Sequence, residues 1–377
     1  MTMTAEASAA EHRDELRRLP QPEPSLGLAA YRRERELALA ADPRRAENYR
    51  KYMASSRRSA KVDYLPVKLD VENVSRCNFR CTMCVVSDWP HGKRAGDLSL
   101  DAFKALIDEQ YGLLEIKLQG IGEPTMQGDD FFAMIRYARA KHIWVRTTTN
   151  ASLLHLKDNY RKLVDSGVNE IQISVDGADE ATFTKIRRGA VFKRVMSNIR
   201  MINAYCRERN ITLTKMWTVV QQGNIHQLDE LVDLAADLGF PQSVFSLNLS
   251  DWGIDAWSDR NRAVDVETRL TADRLMALHE RGKALGLGVR FWNVVEKYNT
   301  DSREGLCPWP FERAYVSSDA RIVPCCYLGN PDVLEFQGAK AGFTSVWQGQ
   351  AYEAFRQAHL DGDIPPACRG CYKAGQH

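Results

Sequence analysis

The chain has 377 residues, of which 44% are hydrophobic and 27% charged, so it is long enough to bury a large core. Its 51 Lys and Arg residues nearly cancel its 49 Asp and Glu residues, which excludes a general attraction to nucleic acid or to an anionic membrane. No segment sustains the roughly 18 apolar residues of a membrane span, and the N-terminus lacks a secretory pattern. We therefore expect a cytoplasmic protein with neither nucleic acid nor a membrane as partner.

The predicted elements divide the chain into four regions. Residues 1–64, rich in Ala, Arg and Glu, indicate a helical extension. In residues 65–250, β-rich runs alternate with amphipathic helical runs, which is typical of βα units around a parallel sheet. The predicted strands are 67–74, 115–119, 144–149, 170–175, 213–220 and 243–249, and helices between them include 99–111, 129–141 and 225–238. This pattern predicts an α/β fold, a partial (β/α)6 barrel whose ligands bind at the C-terminal ends of the strands.

The rest of the chain contains a bridging region and a cysteine-rich region. Residues 251–306 form the bridging region between the barrel and the second cysteine group, with a helix predicted at 271–285 and a strand at 289–294. Residues 307–377 contain five of the nine cysteines. In a cytosolic chain of this size, grouped cysteines indicate metal ligation rather than disulfides. Cys206 stands alone in a predicted helix and is expected in the core.

The first cysteine group consists of Cys77, Cys81 and Cys84, directly after the first predicted strand. One loop can direct these three thiolates towards one metal centre. In a four-iron cluster, three protein ligands leave one iron open to a small molecule. The alternative is a structural zinc site completed by His91 or by a remote ligand.

The CxxxCxxC segment, with Phe79 inside it, resembles the radical S-adenosylmethionine (SAM) superfamily, and the resemblance extends over residues 65–250. It implies that the methionine amino and carboxylate groups of SAM chelate the open iron. An electron from the reduced cluster then cleaves the sulfonium to a 5′-deoxyadenosyl radical. The resemblance also implies a reducing partner such as flavodoxin or ferredoxin.

The same resemblance implies further cofactor contacts at the ends of three strands. Gly122, Glu123 and Pro124 are similar to the family's motif for the methionine amino group, with Glu123 as the acceptor. Arg187 is expected near the methionine carboxylate, whereas Arg188 can equally lie on a solvated helix face. The cofactor residues that the resemblance implies are Phe79, Gly122, Glu123, Pro124, Ser174, Asp176 and Arg187. Thr148 and Asn150 are added because their short polar side chains at the end of the third strand can contact a ligand, although they can also form a strand-end turn.

The second cysteine group, Cys307, Cys325, Cys368 and Cys371, supplies four thiolates, a complete set for zinc or for an iron–sulfur cluster. With its neighbouring Trp and Pro residues, this region resembles the SPASM and twitch extensions of radical SAM enzymes. Four ligands favour the shorter twitch form and one auxiliary cluster. The resemblance thus implies SAM and two [4Fe-4S] clusters, while a zinc ribbon is the alternative.

Cys326 is an additional thiol beside this second group. It can donate hydrogen to a substrate radical, as epimerisation requires, or it can be a structural or alternative cluster cysteine. We therefore interpret Cys326 as a candidate catalytic residue.

The substrate is less well defined than the chemistry. The small auxiliary region resembles that of aminocyclitol dehydrogenases, which favours a carbohydrate or aminocyclitol partner, epimerised in natural-product biosynthesis. A group of polar and aromatic residues follows the sixth strand and can either line a sugar pocket or anchor the loop. These residues are Asn248, Asp251, Trp252, Asp255 and Trp257. The alternatives are dehydrogenation of a carbohydrate alcohol, peptide or protein maturation, and a non-enzymatic iron–sulfur electron-transfer or structural protein.

Overall fold

The computed structural model describes residues 12–334, 336 and 342–373. Their centre is a nine-stranded sheet in the order β11-β10-β1-β3-β4-β5-β7-β8-β9, and β2 pairs separately with β6. The strands are β1 (Lys68–Val71), β2 (Arg80–Cys81), β3 (Glu115–Leu118), β4 (Trp144–Thr149), β5 (Glu170–Ser174), β6 (Arg187–Arg188), β7 (Thr214–Val219), β8 (Gln242–Ser246), β9 (Gly288–Trp292), β10 (Arg313–Val316) and β11 (Ile322–Val323).

Every neighbouring pair in the large sheet is parallel except β10 with β11. The six strands predicted for the core, β1, β3, β4, β5, β7 and β8, are consecutive in the sheet. The predicted α/β barrel class is therefore confirmed. No pairing among the described residues closes the sheet, so the barrel is open.

The sheet continues past the six predicted strands at both edges. Strand β9, expected in the bridging region, pairs with β8 through Gln242 and Gly288. Strand β10, from the cysteine-rich region, pairs with β1 through Lys68 and Arg313. The sequence predicted β9 as a strand of the bridging region but not its pairing with β8, and it predicted neither β10 nor its pairing with β1.

Helices cover the outer face of the sheet and connect its parallel strands. Residue Ser99 begins one of them by accepting a hydrogen bond from the Ala102 amide at 3.1 Å. Among the described residues, no helix has the length and apolar character that a membrane crossing requires. The helices are α1 (Gly27–Ala41), α2 (Pro43–Ser55), α3 (Leu100–Glu109), α4 (Asp129–Arg139), α5 (Asn159–Asp165), α6 (Glu180–Ile186), α7 (Phe192–Glu208), α8 (Leu228–Asp237), α9 (Asp255–Arg262), α10 (Ala272–Ala284), α11 (Trp309–Glu312), α12 (Phe343–Trp347) and α13 (Gln350–Asp361).

Side chains alternate between the two faces of the strands, and the inner face is charged. Apolar residues of the outer face join the main core, as Ile116 and Leu118 do in β3. On the inner face, Arg146 of β4 binds Glu115 at 3.0 Å and Glu170 at 3.3 Å. Although it lies inside the barrel, the Arg146 side chain is 29% exposed. The interior of the barrel is therefore accessible to solvent.

The N-terminal helices close the end of the barrel where the strands begin. From α1, the Tyr31 hydroxyl donates to Glu115 Oε2 at 2.9 Å, and its ring meets Trp144 edge-on at 5.1 Å. From α2, the buried Arg45 donates to the carbonyls of Tyr111 and Lys141. Residues 1–11 of the predicted extension lie outside the described residues.

Candidate active site

The first cysteine group lies on a loop that follows β1 and is fixed by backbone hydrogen bonds. The Cys77 amide donates to Gly92 O at 3.1 Å, and the Cys84 amide donates to Cys81 O at 3.1 Å. Strand β2 pairs with β6, which sets Cys81 opposite Arg187. The loop is thereby held at the C-terminal end of the barrel, as the sequence predicted.

Nitrogen donors lie near two of the sulfur atoms. The Phe79 amide is 3.4 Å and the Asn150 Nδ2 atom 3.9 Å from Cys77 Sγ, and Arg187 Nη1 is 4.0 Å from Cys81 Sγ. Such donors stabilise thiolates, which are the ligands of iron–sulfur clusters. Burial raises the pKa of Cys84 to about 12, so metal binding must displace a proton there.

These donors and thiols fit an iron–sulfur cluster. In the described part of the chain, no three His, Cys, Asp or Glu side chains converge closely enough to hold a single metal ion. In a four-iron cluster each thiolate binds a different iron, so the ligands need not meet at one point. Phe79 itself is buried in the core, and its backbone amide is the group that faces Cys77.

Gly122 and Pro124 bring the loop after β3 against the cysteine loop. A Cβ atom on Gly122 would lie 2.4 Å from Val74 O and 2.5 Å from Arg76 O, so the close approach requires glycine. The carbonyl of Pro124 accepts a hydrogen bond from Asn73 Nδ2 at 3.1 Å. The Gly-Glu-Pro motif thus packs beside the first cysteine group.

Glu123 joins the ends of β3 and β4. One carboxylate oxygen accepts from the Thr125 amide at 3.2 Å and from Thr149 Oγ1 at 2.7 Å, and the other accepts from the Asn150 amide at 2.7 Å. Burial raises the pKa of Glu123. Its oxygens accept protein donors in this geometry, and its contact with the methionine amino group stays a prediction.

Asp176 and Arg187 form a buried ion pair next to the cysteine loop. The distance from Arg187 Nη2 to Asp176 Oδ2 is 2.6 Å, and the second Asp176 oxygen accepts from the Val219 amide at 2.8 Å. Ser174 ends β5 just before this pair and is half-buried. Thr148 lies apart, on the inner face, and donates to Gln172 Oε1 at 2.9 Å. Their predicted SAM contacts remain untested.

The second cysteine group is assembled from distant parts of the chain. Cys307, Cys368 and Cys371 pack together around Leu306, Ile364 and Tyr372. Burial raises the pKa of the Cys325 thiol, and the neighbouring Cys326, Cys368 and Cys307 raise it further. The four predicted ligands therefore share one region, which fits one auxiliary cluster.

A chain of neutral hydrogen bonds supports this second group. The Cys307 amide donates to Tyr372 Oη at 2.9 Å, and Tyr372 Oη lies 2.9 Å from His359 Nδ1. Tyr372 Oη and His359 Nδ1 share a hydrogen bond whose donor is set by the histidine tautomer. Burial lowers the pKa of His359 to about 4.

Cys326 is an electrostatic neighbour of Cys325, but its thiol also interacts with residues of the barrel. It is exposed, its thiol interacts with Asp70 of β1, and Lys117 and Arg313 act on it electrostatically. Tyr327, the next residue, donates to Leu249 O at 2.8 Å and so ties this turn to the loop after β8. Cys326 therefore faces the charged inner face of the barrel.

The proposed sugar-pocket residues serve largely as loop anchors. Asn248 Oδ1 accepts from the Val294 amide at 2.7 Å, and Asp251 Oδ1 accepts from the Gly253 amide at 2.9 Å. The rings of Trp252 and Trp257 meet edge-on at 5.6 Å, and Trp257 is buried. Of the two interpretations given above, the anchoring one accounts for these contacts.

Sequence reasoning missed the inner face of the barrel as part of the site. Asp70, Lys117 and Arg313 surround the Cys326 thiol. The available signal was a charged residue at every second position of an otherwise apolar strand, as in Lys68-Leu-Asp-Val. In a strand buried on both faces such alternation marks a polar interior.

Two family models match the chain. Residues 74–235 match the radical SAM superfamily, and residues 307–372 match SPASM, an iron-sulfur cluster-binding domain. The Mycofactocin maturase MftC of Mycobacterium tuberculosis is 30% identical over 313 residues, which cover 81% of this chain and 75% of the relative. The PqqA peptide cyclase of Bradyrhizobium diazoefficiens is 23% identical over 324 residues, which cover 85% of this chain and 82% of the relative.

The chain belongs to the radical SAM superfamily and contains a SPASM iron–sulfur cluster-binding domain. Its cofactors are SAM and two [4Fe-4S] clusters. The fold is similar to that of Streptococcus suis SuiB bound to precursor peptide SuiA, with a TM-score of 0.62 and 18% identity over 82% of this chain and 71% of that one. A second SuiB structure, bound to S-adenosylmethionine, has a TM-score of 0.59 and 16% sequence identity. The match covers 86% of this chain and 76% of the SuiB chain.

These relatives correct the substrate expected from the sequence. Their names refer to peptide cyclisation and maturation, and none of those reported above refers to a carbohydrate or aminocyclitol. The prediction of a radical SAM enzyme is confirmed, whereas the preference for a carbohydrate epimerase or dehydrogenase finds no support. The comparisons favour the alternative of peptide or protein maturation.

Proposed function

We propose that this enzyme modifies a peptide by radical chemistry. The observation that carries the proposal is the 30% identity, over 81% of the chain, to a protein named a maturase. The similarity to a PqqA peptide cyclase over 85% of the chain supports the same substrate class. The partner is then a precursor peptide, together with a one-electron donor of the flavodoxin or ferredoxin type.

The open barrel interior supports a substrate that enters from the C-terminal ends of the strands. α1 closes the opposite end through Tyr31, and the cysteine loop lies at the open end. When bound there, the cluster and SAM supply the radical that abstracts hydrogen. In this proposal Cys77, Cys81 and Cys84 hold the cluster, and Arg187, which pairs with Asp176, binds the methionine carboxylate.

Cys326 is our candidate for the residue that returns hydrogen to the peptide. Its S–H bond breaks as a C–H bond forms on the substrate carbon radical, and a thiyl radical remains. An electron from the reducing partner and a proton from solvent restore the thiol. The support is its exposed position facing the inner face of the barrel, where its thiol interacts with Asp70.

The test uses the anaerobically reconstituted full chain with SAM and a reductant in deuterated water. One reaction contains a pool of synthetic peptides, and a second contains glycosides and aminocyclitols. We expect peptide products that have lost two hydrogens or gained deuterium, detected by mass spectrometry, together with more 5′-deoxyadenosine than SAM alone yields. Products confined to the sugar pool would refute peptide modification.

A further inference from the structure

The inner faces of β1, β3 and β10 form a charged wall beneath Cys326. Asp70 in β1 has Lys117 of β3 as its register partner on one side. On the other side, Arg313 of β10 places Nη1 at 3.8 Å from Asp70 Oδ1. Neighbouring strands lie about 4.8 Å apart, so two cations flank one carboxylate at the base of the open site.

Lys117 differs from the other cations of this wall because it makes no ion pair with any described residue. Its neighbour Arg146 binds Glu115 and Glu170, and Lys215 of β7 also binds Glu170 at 3.1 Å. Lys68 binds Glu312 at 3.3 Å. Asp70 and the Cys326 thiol lie within electrostatic reach of Lys117, but neither forms an ion pair with it, so the Lys117 ammonium keeps its hydrogen-bond donors for a ligand anion.

Asp70 does not neutralise both cations. Its carboxyl is buried, and this burial raises its pKa, which favours the uncharged form. Arg313 is shared with Glu312 at 3.2 Å, while its guanidinium also lies 4.7 Å above the Trp309 ring. The wall therefore has an excess of positive charge near Lys117.

The wall is also accessible. Lys117 is half-buried, and Arg313 retains 15% side-chain exposure, although both project into the barrel. Cys326, which interacts with Asp70, is exposed. Further along the sheet, the rings of Trp217 and Trp292 lie 6.4 Å apart on the same face. The interior thus combines a cationic wall with an aromatic one.

We propose that Lys117 and Arg313 form a carboxylate-binding subsite on the inner face of the barrel, which holds a carboxylate of the substrate peptide beside Cys326. This inference rests on the proposed peptide substrate, whose only ordinary anionic groups are carboxylates. Bound there, the carboxylate pairs with Lys117 and fixes the depth to which the peptide enters. The carboxylate is either the C-terminus or an Asp or Glu side chain.

The test measures dissociation constants by calorimetry on the anaerobic holoenzyme with SAM. The probes are N-acetyl-phenylalanine, its carboxamide, and N-acetyl-glutamic acid α-amide; the phenyl ring suits the tryptophan wall. We expect one of the two acids to bind about tenfold more tightly than the neutral carboxamide. A preference for the first acid identifies a C-terminal carboxylate, and a preference for the second identifies a side chain.

Variants assign the preference to the subsite. Lys117→Met should remove it, whereas Lys117→Arg should retain it, and the exposed Lys193→Met serves as the matched control. Equal binding of acids and amide, absence of saturable acid binding, or an unchanged preference in Lys117→Met would overturn the subsite. Should Lys117→Met fail to fold, the wild-type ratio alone decides between these outcomes. A wild-type acid preference without any peptide turnover would instead refute the proposed function and leave the subsite standing.

Discussion

The two cysteine groups reach similar chemistry by different routes. The first is one loop, from Cys77 to Cys84, braced by the buried Asp176–Arg187 ion pair. The second extends from Cys307 to Cys371 and is braced by neutral hydrogen bonds through Tyr372 and His359. A local motif therefore defines the site that holds SAM, whereas tertiary packing assembles the auxiliary site.

Loss of a ligand from the first loop should have the largest effect. Cys81→Ala should abolish reductive cleavage of SAM, because the cluster loses one of three protein ligands. The measurement is 5′-deoxyadenosine formation under reducing anaerobic conditions. Cys206→Ala, which removes a buried thiol of α7 far from either group in sequence, is the matched control and should cleave SAM normally. Undiminished cleavage by Cys81→Ala would remove the assignment of the first site.

Loss of a ligand from the second cysteine group should remove the auxiliary cluster and leave the first cluster in place. Iron analysis of the reconstituted wild type should give about eight irons per chain, from two four-iron clusters. Cys368→Ala should give about four, since the first loop is untouched. Zinc instead of iron at the second site after anaerobic purification would contradict two iron–sulfur clusters.

Cys326 follows Cys325 in the sequence but faces the barrel, so its substitution tests whether it belongs to the auxiliary cluster or to the substrate site. Cys326→Ala should retain about eight irons, in contrast to Cys368→Ala. With a peptide substrate in deuterated water, the variant should lose deuterium incorporation at the reacting carbon, measured by mass spectrometry. If iron falls by half, Cys326 is a ligand; if deuterium incorporation persists, another group returns hydrogen.

The ion pair beside the first loop should contribute more to stability than its exposed neighbour. Arg187→Met leaves the buried Asp176 carboxylate without its partner and should lower the free energy of unfolding by about 3–5 kcal/mol. Arg188→Met, in the same two-residue strand but exposed, should change it by less than about 0.5 kcal/mol. Urea unfolding compares the two variants, and equal losses would contradict a specific role for the pair.

The neutral bracing of the second group predicts a smaller, pH-dependent effect. The pKa of His359 falls from about 6.5 in the unfolded chain to about 4, so at intermediate pH the unfolded chain binds a proton that the folded chain does not. Stability should decline as pH falls from about 6.5 towards 4, by at most roughly 3 kcal/mol. His359→Gln should flatten this part of the stability profile, and an unchanged slope would assign the decline to other groups.

The sequence predicted the barrel strands well because each is a short run of β-branched, aromatic and other apolar residues that alternates with helical segments, as the agreement at Trp144–Thr149 illustrates. It predicted the cysteine groups because thiolate ligation requires particular residues at short spacing. It missed β9 and β10 as barrel strands, since pairing with a remote partner leaves no local trace. Glu123 illustrates a similar limit, because its hydrogen bonds to Thr149 and Asn150 depend on how two strand ends meet.

The parallel pairing of β10 with β1 has a consequence for biosynthesis. Strand β1 leads directly into the first cysteine loop, yet one of its two neighbours, β10, is synthesised only after all the other strands of the parallel sheet. Contacts of such long sequence separation form slowly, and domains fold as units during synthesis. The edge of β1 therefore stays unpaired until β10 has been synthesised, so the framework that holds the first cysteine loop is completed only by the region that holds the second group.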